Sequence, residues 1–486
     1  MGLMNLIFFS LTLENHLLYN RYTRFYLQVS DDPGVHFQFP SRVNTKKVRG
    51  DSMKARNVVI VDGCRSAFSR GGVGKFEATR LDEIGATVVR ALLERNPKVK
   101  PTMIDEFGIG NGARAMDLSN LNSISRLAGL PHEVTNFYTD RHCASSMESL
   151  LRIAMAISLG QYECGISFGV ERMTREIGGG RVPPPTNRIN SFNPKVAQPT
   201  AVQRNMAHDH SEYFSVPIPD FILDSSPMAS MVQTAQNVVE MYNMTREELD
   251  AFAVRSHKKL AAAYEKGIYK DEIIPVEIEE PVFDDKRQWV EDAHGPKIIF
   301  DRDECVRPDC SMEGLAKLGP VRGIVSYGNQ ELRITAGNSC PTNSGATATL
   351  LMSEEMALKM RLEPLARIIG WGNGGVKQQI MGIGPIVSTK KALKHAGITA
   401  DQIDRVEFNE AFACQVIISL KELGIPEEKV NVNGGSLGIG HPIGATGNRL
   451  VFTVAKELRR SGKRYGVATQ CIGGGQGATT IIEALN

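Results

Sequence analysis

At 486 residues the chain can bury a large core and form more than one folded unit, and its 42% apolar and 23% charged residues are those of a globular protein. A formal charge of +2 leaves no electrostatic footprint for nucleic acid, so any anionic ligand needs a local site. Eight scattered cysteines, with no CxxC pair and no zinc-like spacing, argue against a disulfide framework and against a metal centre, and fit free thiols in a reducing, cytoplasmic setting.

Residues 1–53 read as an N-terminal extension. Its start, MGLMNLIFFSLTLENHLLYN, is apolar but lacks a basic n-region and a cleavage site, and Glu14, Asp31, Asp32 and Asp51 do not suit an acid-poor transit peptide. No apolar stretch reaches the length needed to cross a bilayer. Patterned sequence begins at MKARNVVIVDGCRSAF, which makes Met53 a candidate initiator. NVVIVDG (57–63) predicts a buried strand ending in a turn. In TRLDEIGATVVRALLERN, Leu81, Ile84, Val88, Ala91 and Leu92 fall at helical spacing. PTMIDEFGIGN then predicts a loop, with Thr102 as a capping-type residue, and a strand ending at Gly110.

The same unit returns in STKKALKHAGITADQIDRVEFNEAF: a helix, a stop at Gly397, a loop, and a strand ending near Asn409. Ile104-Asp105 and Ile403-Asp404 hold the same place in the two copies. CASSMESLLRIAMAISLGQYECGISFG pairs with HPIGATGNRLVFTVAKELRRSGKRYGVATQC at nearly the same offset, each a turn, a long apolar-faced helix, a polar stop and a strand. This repetition divides the chain into halves at 54–360 and 361–486. Into the first is inserted a loop subdomain, about 176–304, opening with the loop-like GGGRVPPPTNRINSFNP. It continues into two helical patterns, the second starting at Thr245 with a capping box to Glu248.

Four residues could carry chemistry. Cys143 lies where a turn feeds a helix, a position whose dipole and free N–H groups are expected to lower a thiol pKa. Asn409 ends a strand, where it can make turn hydrogen bonds, hold a water or donate to a developing oxyanion. His441 sits among glycines at another strand-to-helix turn, with Pro442 fixing the backbone after it. Cys471 ends an apolar run and is followed by three glycines, which make room for a close approach. The glycine runs do not have the form of a dinucleotide site, no P-loop is present, and nothing completes a metal ligand set around His208 and His210.

Together, CASS at Cys143, NEAF at Asn409, GHPIGATG at His441 and CIGGGQG at Cys471 resemble the thiolase family, the acetyl-CoA acyltransferases. The four motifs stand in the family's order, and the resemblance extends through TAQNVVEMYNMTREELDAFAVRSHKKLAAAYEKG and SMEGLAKL, from Lys54 to Asn486. It implies an α/β fold of two similar βαβ halves stacked as α-β-α-β-α layers with the loop subdomain inserted. It implies a 3-ketoacyl-CoA thiolase of fatty-acid β-oxidation: Cys143 as nucleophile, His441 as its base, Cys471 as general acid. His441 and an Asn409-held water would support an enolate, and the N–H groups of Cys143 and Gly473 an oxyanion. Coenzyme A is implied as substrate, with no permanently bound cofactor, and the partners implied are acyl-CoA, a homodimer or homotetramer, and a β-oxidation complex subunit.

Departures touch the CoA and acyl surfaces. Cys340 stands where relatives often carry a serine near the pantetheine, and Ser344 where an aspartate is usual. Arg307 matches an arginine that in relatives lies near the CoA adenine. QWVEDAHGPK and VRGIVSYGNQEL are longer than expected. GGSLGIGHPIGATG and GGQG lean toward the β-subunit type of the fatty-acid oxidation complex, which often has His where Asn409 stands. Rival readings are a biosynthetic acetoacetyl-CoA thiolase, a ketoacyl-ACP synthase (against which Cys471 stands), and a non-catalytic homologue that binds CoA or lipid.

Overall fold

The computed structural model describes residues 55–112, 120–173, 213–223 and 229–485. The extension and the Gly-Pro-rich opening of the inserted region, with His208 and His210, lie outside the described residues. In chain order, the first part holds β1 (Val58–Ser66), β2 (Ser69–Arg70), α1 (Leu81–Arg95), β3 (Glu106–Gly110), α2 (Asn122–Leu127), β4 (Thr135–Thr139), α3 (Ser145–Ser158) and β5 (Cys164–Glu171). There follow α4 (Asp220–Leu223), α5 (Met231–Met241), α6 (Arg246–Glu265), β6 (Ile273–Ile274), β7 (Val276–Phe283), β8 (Trp289–Phe300), α7 (Met312–Ala316), β9 (Asn343–Ser353) and α8 (Glu354–Lys359). The last part holds β10 (Ala366–Gly375), α9 (Gly384–Ala396), β11 (Arg405–Phe408), α10 (Ala413–Leu423), α11 (Ser436–Ile439), α12 (Ile443–Ser461), β12 (Tyr465–Ile472) and β13 (Gln476–Ala484).

The packing of these elements builds five layers. The strands run β11-β12-β13-β10-β1-β9-β5-β3-β4, the two parts meeting where Val59 and Ile60 of β1 face Arg367 and Ala366 of β10. Helices α3 and α12 lie against each other, and α12 touches β5 and β9 on one side and β11 and β12 on the other. Helix α1 covers the far side of β9 and β5, and α9 the far side of β10 and β13. Helix, sheet, helix pair, sheet, helix is the layering the resemblance implied.

The repeat has a specific cause. Asp105 Oδ2 accepts the N–H groups of Glu163 and Cys164 at 2.8 and 3.0 Å, where β5 begins. Asp404 Oδ2 accepts those of Arg464 and Tyr465 at 3.0 and 2.9 Å, where β12 begins. Each aspartate thus satisfies two backbone donors that the strand end would otherwise leave open. Ile104 and Ile403 beside them are buried. Gly397 ends α9 in the left-handed conformation, as its place as a stop predicts.

Four local expectations are corrected or sharpened. Gly63 does not end the first strand: β1 runs on to Ser66, paired with β9 as far as Arg65 and with β6 at Arg65 and Ser66, and the ring of Phe452 of α12 fills the place of a side chain at Gly63, 2.5 Å from an ideal Cβ. Thr102 does not cap; it lies inside a single 3₁₀ turn, Pro101–Met103. The capping box at Thr245 does form: Glu248 N donates to Thr245 Oγ1 at 3.2 Å, and Thr245 N to Glu248 Oε2 at 2.7 Å. The longer stretch at QWVEDAHGPK is most of strand β8, half of a two-stranded hairpin with β7.

Candidate active site

The candidate residues gather at one edge of the layers. β3 and β11 end at Gly110 and Phe408, just before Asn111 and Asn409, and β12 ends just beyond Cys471. Cys143 precedes the first turn of α3, and His441 precedes that of α12. The duplicated unit therefore brings its strand ends and helix starts to a common place, where backbone N–H groups are free to face a ligand.

His441 is oriented from both sides. The Thr446 hydroxyl gives its one proton to Pro442 O at 2.9 Å, so at 2.6 Å from His441 Nδ1 it accepts. Nδ1 carries the ring proton, and Nε2 keeps a lone pair. Asn409 Nδ2 lies 3.4 Å from that Nε2. The amide orientation of Asn409 is fixed by Ser436, whose hydroxyl donates to Oδ1 at 2.7 Å while receiving Arg449 Nη2 at 2.8 Å. Since guanidinium only donates, the donor sequence Arg449, Ser436, Asn409 has one direction, ending on His441.

The two thiols sit in unlike surroundings. Cys143 is half-buried and accepts from the N–H of Gly473, which ties it to the loop after Cys471. Cys471 is fully buried, and its Sγ donates to Gln415 Oε1 at 3.2 Å. Gln415 Nε2 in turn donates to Asn409 O at 2.7 Å. Gly474 and Gly475 turn the chain from β12 into β13 with φ of 85° and 80°, and a side chain at Gly475 would meet Val376 O at 2.4 Å.

Burial governs the charges. It pushes the Cys143 thiol up to about 11, against the opposing N–H groups of Gly473 and Cys143 itself, with the Glu171 charge adding to the rise. It pulls His441 down to about 3, helped by the positive charge of Arg449. Cys471 is held well above its ordinary value by burial and by the neighbouring Cys143. The expectation of a lowered thiol pKa at the helix start is therefore corrected: the N–H groups act in that direction, but loss of water outweighs them. Burial thus favours the uncharged thiol and the uncharged imidazole.

Arg307 lies apart from this cluster. It lines a cleft of about 320 Å³ with Arg70, His257, Ser311, Ser339 and Pro341. None of Cys143, His441 and Cys471 lines that cleft; the segment between Ser339 and Thr342 joins the two places. Cys340 N donates to Ala411 O at 2.9 Å, and Thr342 pairs with His441. Burial raises the Cys340 thiol, and the charges of Cys143 and Cys305 act on it in the same direction. Ser344 Oγ holds the N–H of Met173 at 3.1 Å. Sequence reasoning missed Thr446, Ser436, Arg449, Gln415 and His257. Thr446 had a local signal, as a hydroxyl in the first turn of the helix His441 precedes; Ser436, Arg449 and Gln415 stand near His441 or Asn409 in sequence, but no spacing rule ties them to those side chains, and only His257 arrives from a distant segment.

With that geometry in view, the sequence pattern described as Thiolase, N-terminal domain matches residues 58–355, and Thiolase, C-terminal domain matches 362–484. A 3-ketoacyl-CoA thiolase from Bacillus subtilis (strain 168) is 35% identical over 430 residues, covering 88% of this chain and 99% of its own. A beta-ketoadipyl-CoA thiolase from Pseudomonas putida is 36% identical over 435 residues, covering 88% and 100%. The crystal structure of the Bacillus anthracis acetyl-CoA acetyltransferase superposes with a TM-score of 0.72 at 33% identity, covering 89% of this chain and 100% of that one. Human mitochondrial 3-ketoacyl-CoA thiolase does so with a TM-score of 0.70 at 29% identity, covering 89% and 99%. The chain belongs to the thiolase family. Its members are acyltransferases, and this chain is one of them.

Proposed function

We infer that the chain is a 3-ketoacyl-CoA thiolase, cleaving a 3-ketoacyl-CoA with CoA to acetyl-CoA and a shortened acyl-CoA in fatty-acid β-oxidation. The observation that carries this reading is a pair of neighbouring, unlike thiols: Cys143 on the Gly473 N–H, and Cys471 tied through Gln415 to Asn409, which faces His441 Nε2. Cys143 attacks the keto carbon as its proton passes to His441 Nε2, the lone-pair nitrogen. The N–H groups of Cys143 and Gly473 receive the tetrahedral oxyanion. The carbon–carbon bond then breaks, and Cys471 gives its proton to C2 of the departing acetyl-CoA enolate, which protonated His441 and an Asn409-held water stabilise. A second CoA thiol returns a proton to Cys471, and its sulfur takes the acyl group from Cys143, which recovers its own proton from His441.

The cleft around Arg307 and Arg70 supports a CoA site there, with Cys340 on the way from the cleft to Cys143; Arg307 has no ion-pair partner among the described residues. Free thiols at all eight cysteines support a reducing, cytoplasmic location. The edge strand β4, with Tyr138 46% exposed, supports a homodimer or homotetramer, which sedimentation velocity measures. The halves divide at 361 with residues 1–53 outside them, and a partner subunit of a β-oxidation complex belongs to the same reading.

Similarity to beta-ketoadipyl-CoA thiolases favours a second substrate, a 3-ketoacyl-CoA with a terminal carboxylate. Steady-state thiolysis with short, medium and long 3-ketoacyl-CoA and with 3-ketoadipyl-CoA decides between them. The proposed enzyme turns over the medium and long substrates. Activity confined to acetoacetyl-CoA would make it the biosynthetic acetyl-CoA C-acetyltransferase, and preference for the carboxylated acyl group would establish the second reading.

A further inference from the structure

Gln415, the third residue of α10, is fully buried and takes part in a closed ring of hydrogen bonds around Cys471. Asn409 N donates to Thr469 O at 2.9 Å, two residues before Cys471 on β12. Asn409 O accepts Gln415 Nε2 at 2.7 Å, and Gln415 Oε1 accepts Cys471 Sγ at 3.2 Å. A backbone carbonyl can only accept, so the carboxamide nitrogen must face Asn409 and the oxygen must face the sulfur. An amide oxygen has no proton to give. The sulfur opposite it must carry the hydrogen, and a thiolate there would meet a lone pair.

We propose that Gln415 is a positioning residue for Cys471: its carboxamide, locked by the main chain of Asn409, holds the sulfur in place as a hydrogen donor and so sets it as the acid of carbon–carbon cleavage. The inference rests on the acid role read for Cys471 above. The same ring joins the acid to Asn409, so both sides of the enolate site keep a common reference to β12. Gln415 is set against the Cys471 sulfur rather than the substrate, and its effect on the reaction passes through that sulfur.

The test compares two reactions of the full-length chain. Single-turnover cleavage of acetoacetyl-CoA needs the Cys471 proton. Acylation of Cys143 by a reactive aryl thioester does not, because that leaving thiolate is stable without one. Gln415→Met removes both polar contacts at similar volume; cleavage should slow about tenfold or more while acylation stays within about twofold. Gln415→Glu adds a readout that packing alone would not move. Its ionised form cannot donate to Asn409 O, whereas its protonated form restores the donor and acceptor pair; burial favours protonation. Cleavage by Gln415→Glu should therefore recover toward wild type as pH is lowered from about 8 to about 6, and Gln415→Met should not recover. Normal cleavage in Gln415→Met, or parallel loss of cleavage and acylation in both variants, would overturn the inference while leaving the acid role intact, provided Cys471→Ala run beside them loses cleavage. Wild-type cleavage in Cys471→Ala would overturn the acid role and the inference with it.

Discussion

Burial favours the uncharged forms of Cys143 and His441, and this sets how Cys143 reacts with a simple probe. A thiol pushed up to about 11 is almost wholly protonated at neutral pH, and an imidazole pulled down to about 3 does not take its proton without help from the substrate. Alkylation of Cys143 by iodoacetamide should accelerate about tenfold per pH unit from near 7 upward, levelling only toward the thiol's own value. A thiolate–imidazolium pair would instead give a rate flat across that range. Peptide mass spectrometry of Cys143 after timed exposure distinguishes the two profiles. The residues themselves were legible: each sits in a short motif next to a turn. Their protonation was not, because a helix start pulls a thiol pKa one way and burial the other, and only coordinates give the extent of burial.

Elements position these residues through close contact between α3 and α12. An ideal Cβ on Gly447 would stand 2.4 Å from Met147 N and 2.7 Å from Met147 Cβ, so the helices touch backbone to backbone in their first turns. Around that contact Asn448 N donates to Ser146 Oγ at 3.0 Å, and Asn448 Nδ2 to Ser167 O at 2.9 Å. Gly447→Ala should force the helices apart. Overpacking of this kind costs about 1–3 kcal/mol, against about 1 kcal/mol gained in helix propensity. Because Cys143 and His441 stand at the starts of these same helices, kcat/KM should fall about tenfold or more, beyond what the loss of folded protein explains. Gly397→Ala is the control. It strains a left-handed C-cap with nothing within 4 Å, so Tm should fall while kcat/KM of the folded protein holds. Helical periodicity made both helices legible, and the repeat made their equivalence legible. Their contact was not, since glycines in GATGNRL read equally as room for a ligand and as room for a neighbouring helix.

Across the whole molecule, buried charge is matched over long stretches of chain, which no local pattern reveals. Arg65 Nη1 and Nη2 donate to Asp303 at 2.7 and 2.9 Å across 238 positions, both groups inside the protein. His257 on α6 is less well matched: it is 5% exposed, its Nδ1 has no hydrogen-bond partner among the described residues, and it shares the cleft with Arg307. Burial first, then the Arg307 charge, pull it down to about 4, with Asp309 opposing. The unfolded chain takes up a proton near 6.5 that the folded chain refuses until about 4. Stability from this group is therefore complete above about 6.5 and is lost as pH falls toward about 4, roughly 3 kcal/mol at full displacement. His441 adds a loss of the same sign reaching lower, and the Cys143 thiol a loss of opposite sign as pH rises from its ordinary 9.0 toward about 11. His257→Gln removes one titrating group and leaves the others in place. Thermal melts of the two proteins at about pH 7.5, 6 and 5 should show the variant gaining on the wild type at each step toward acid. A constant difference in Tm across that range would mean that His257 takes up its proton equally in the folded and unfolded chain, and that the cleft around Arg307 is wet enough to admit a second positive charge.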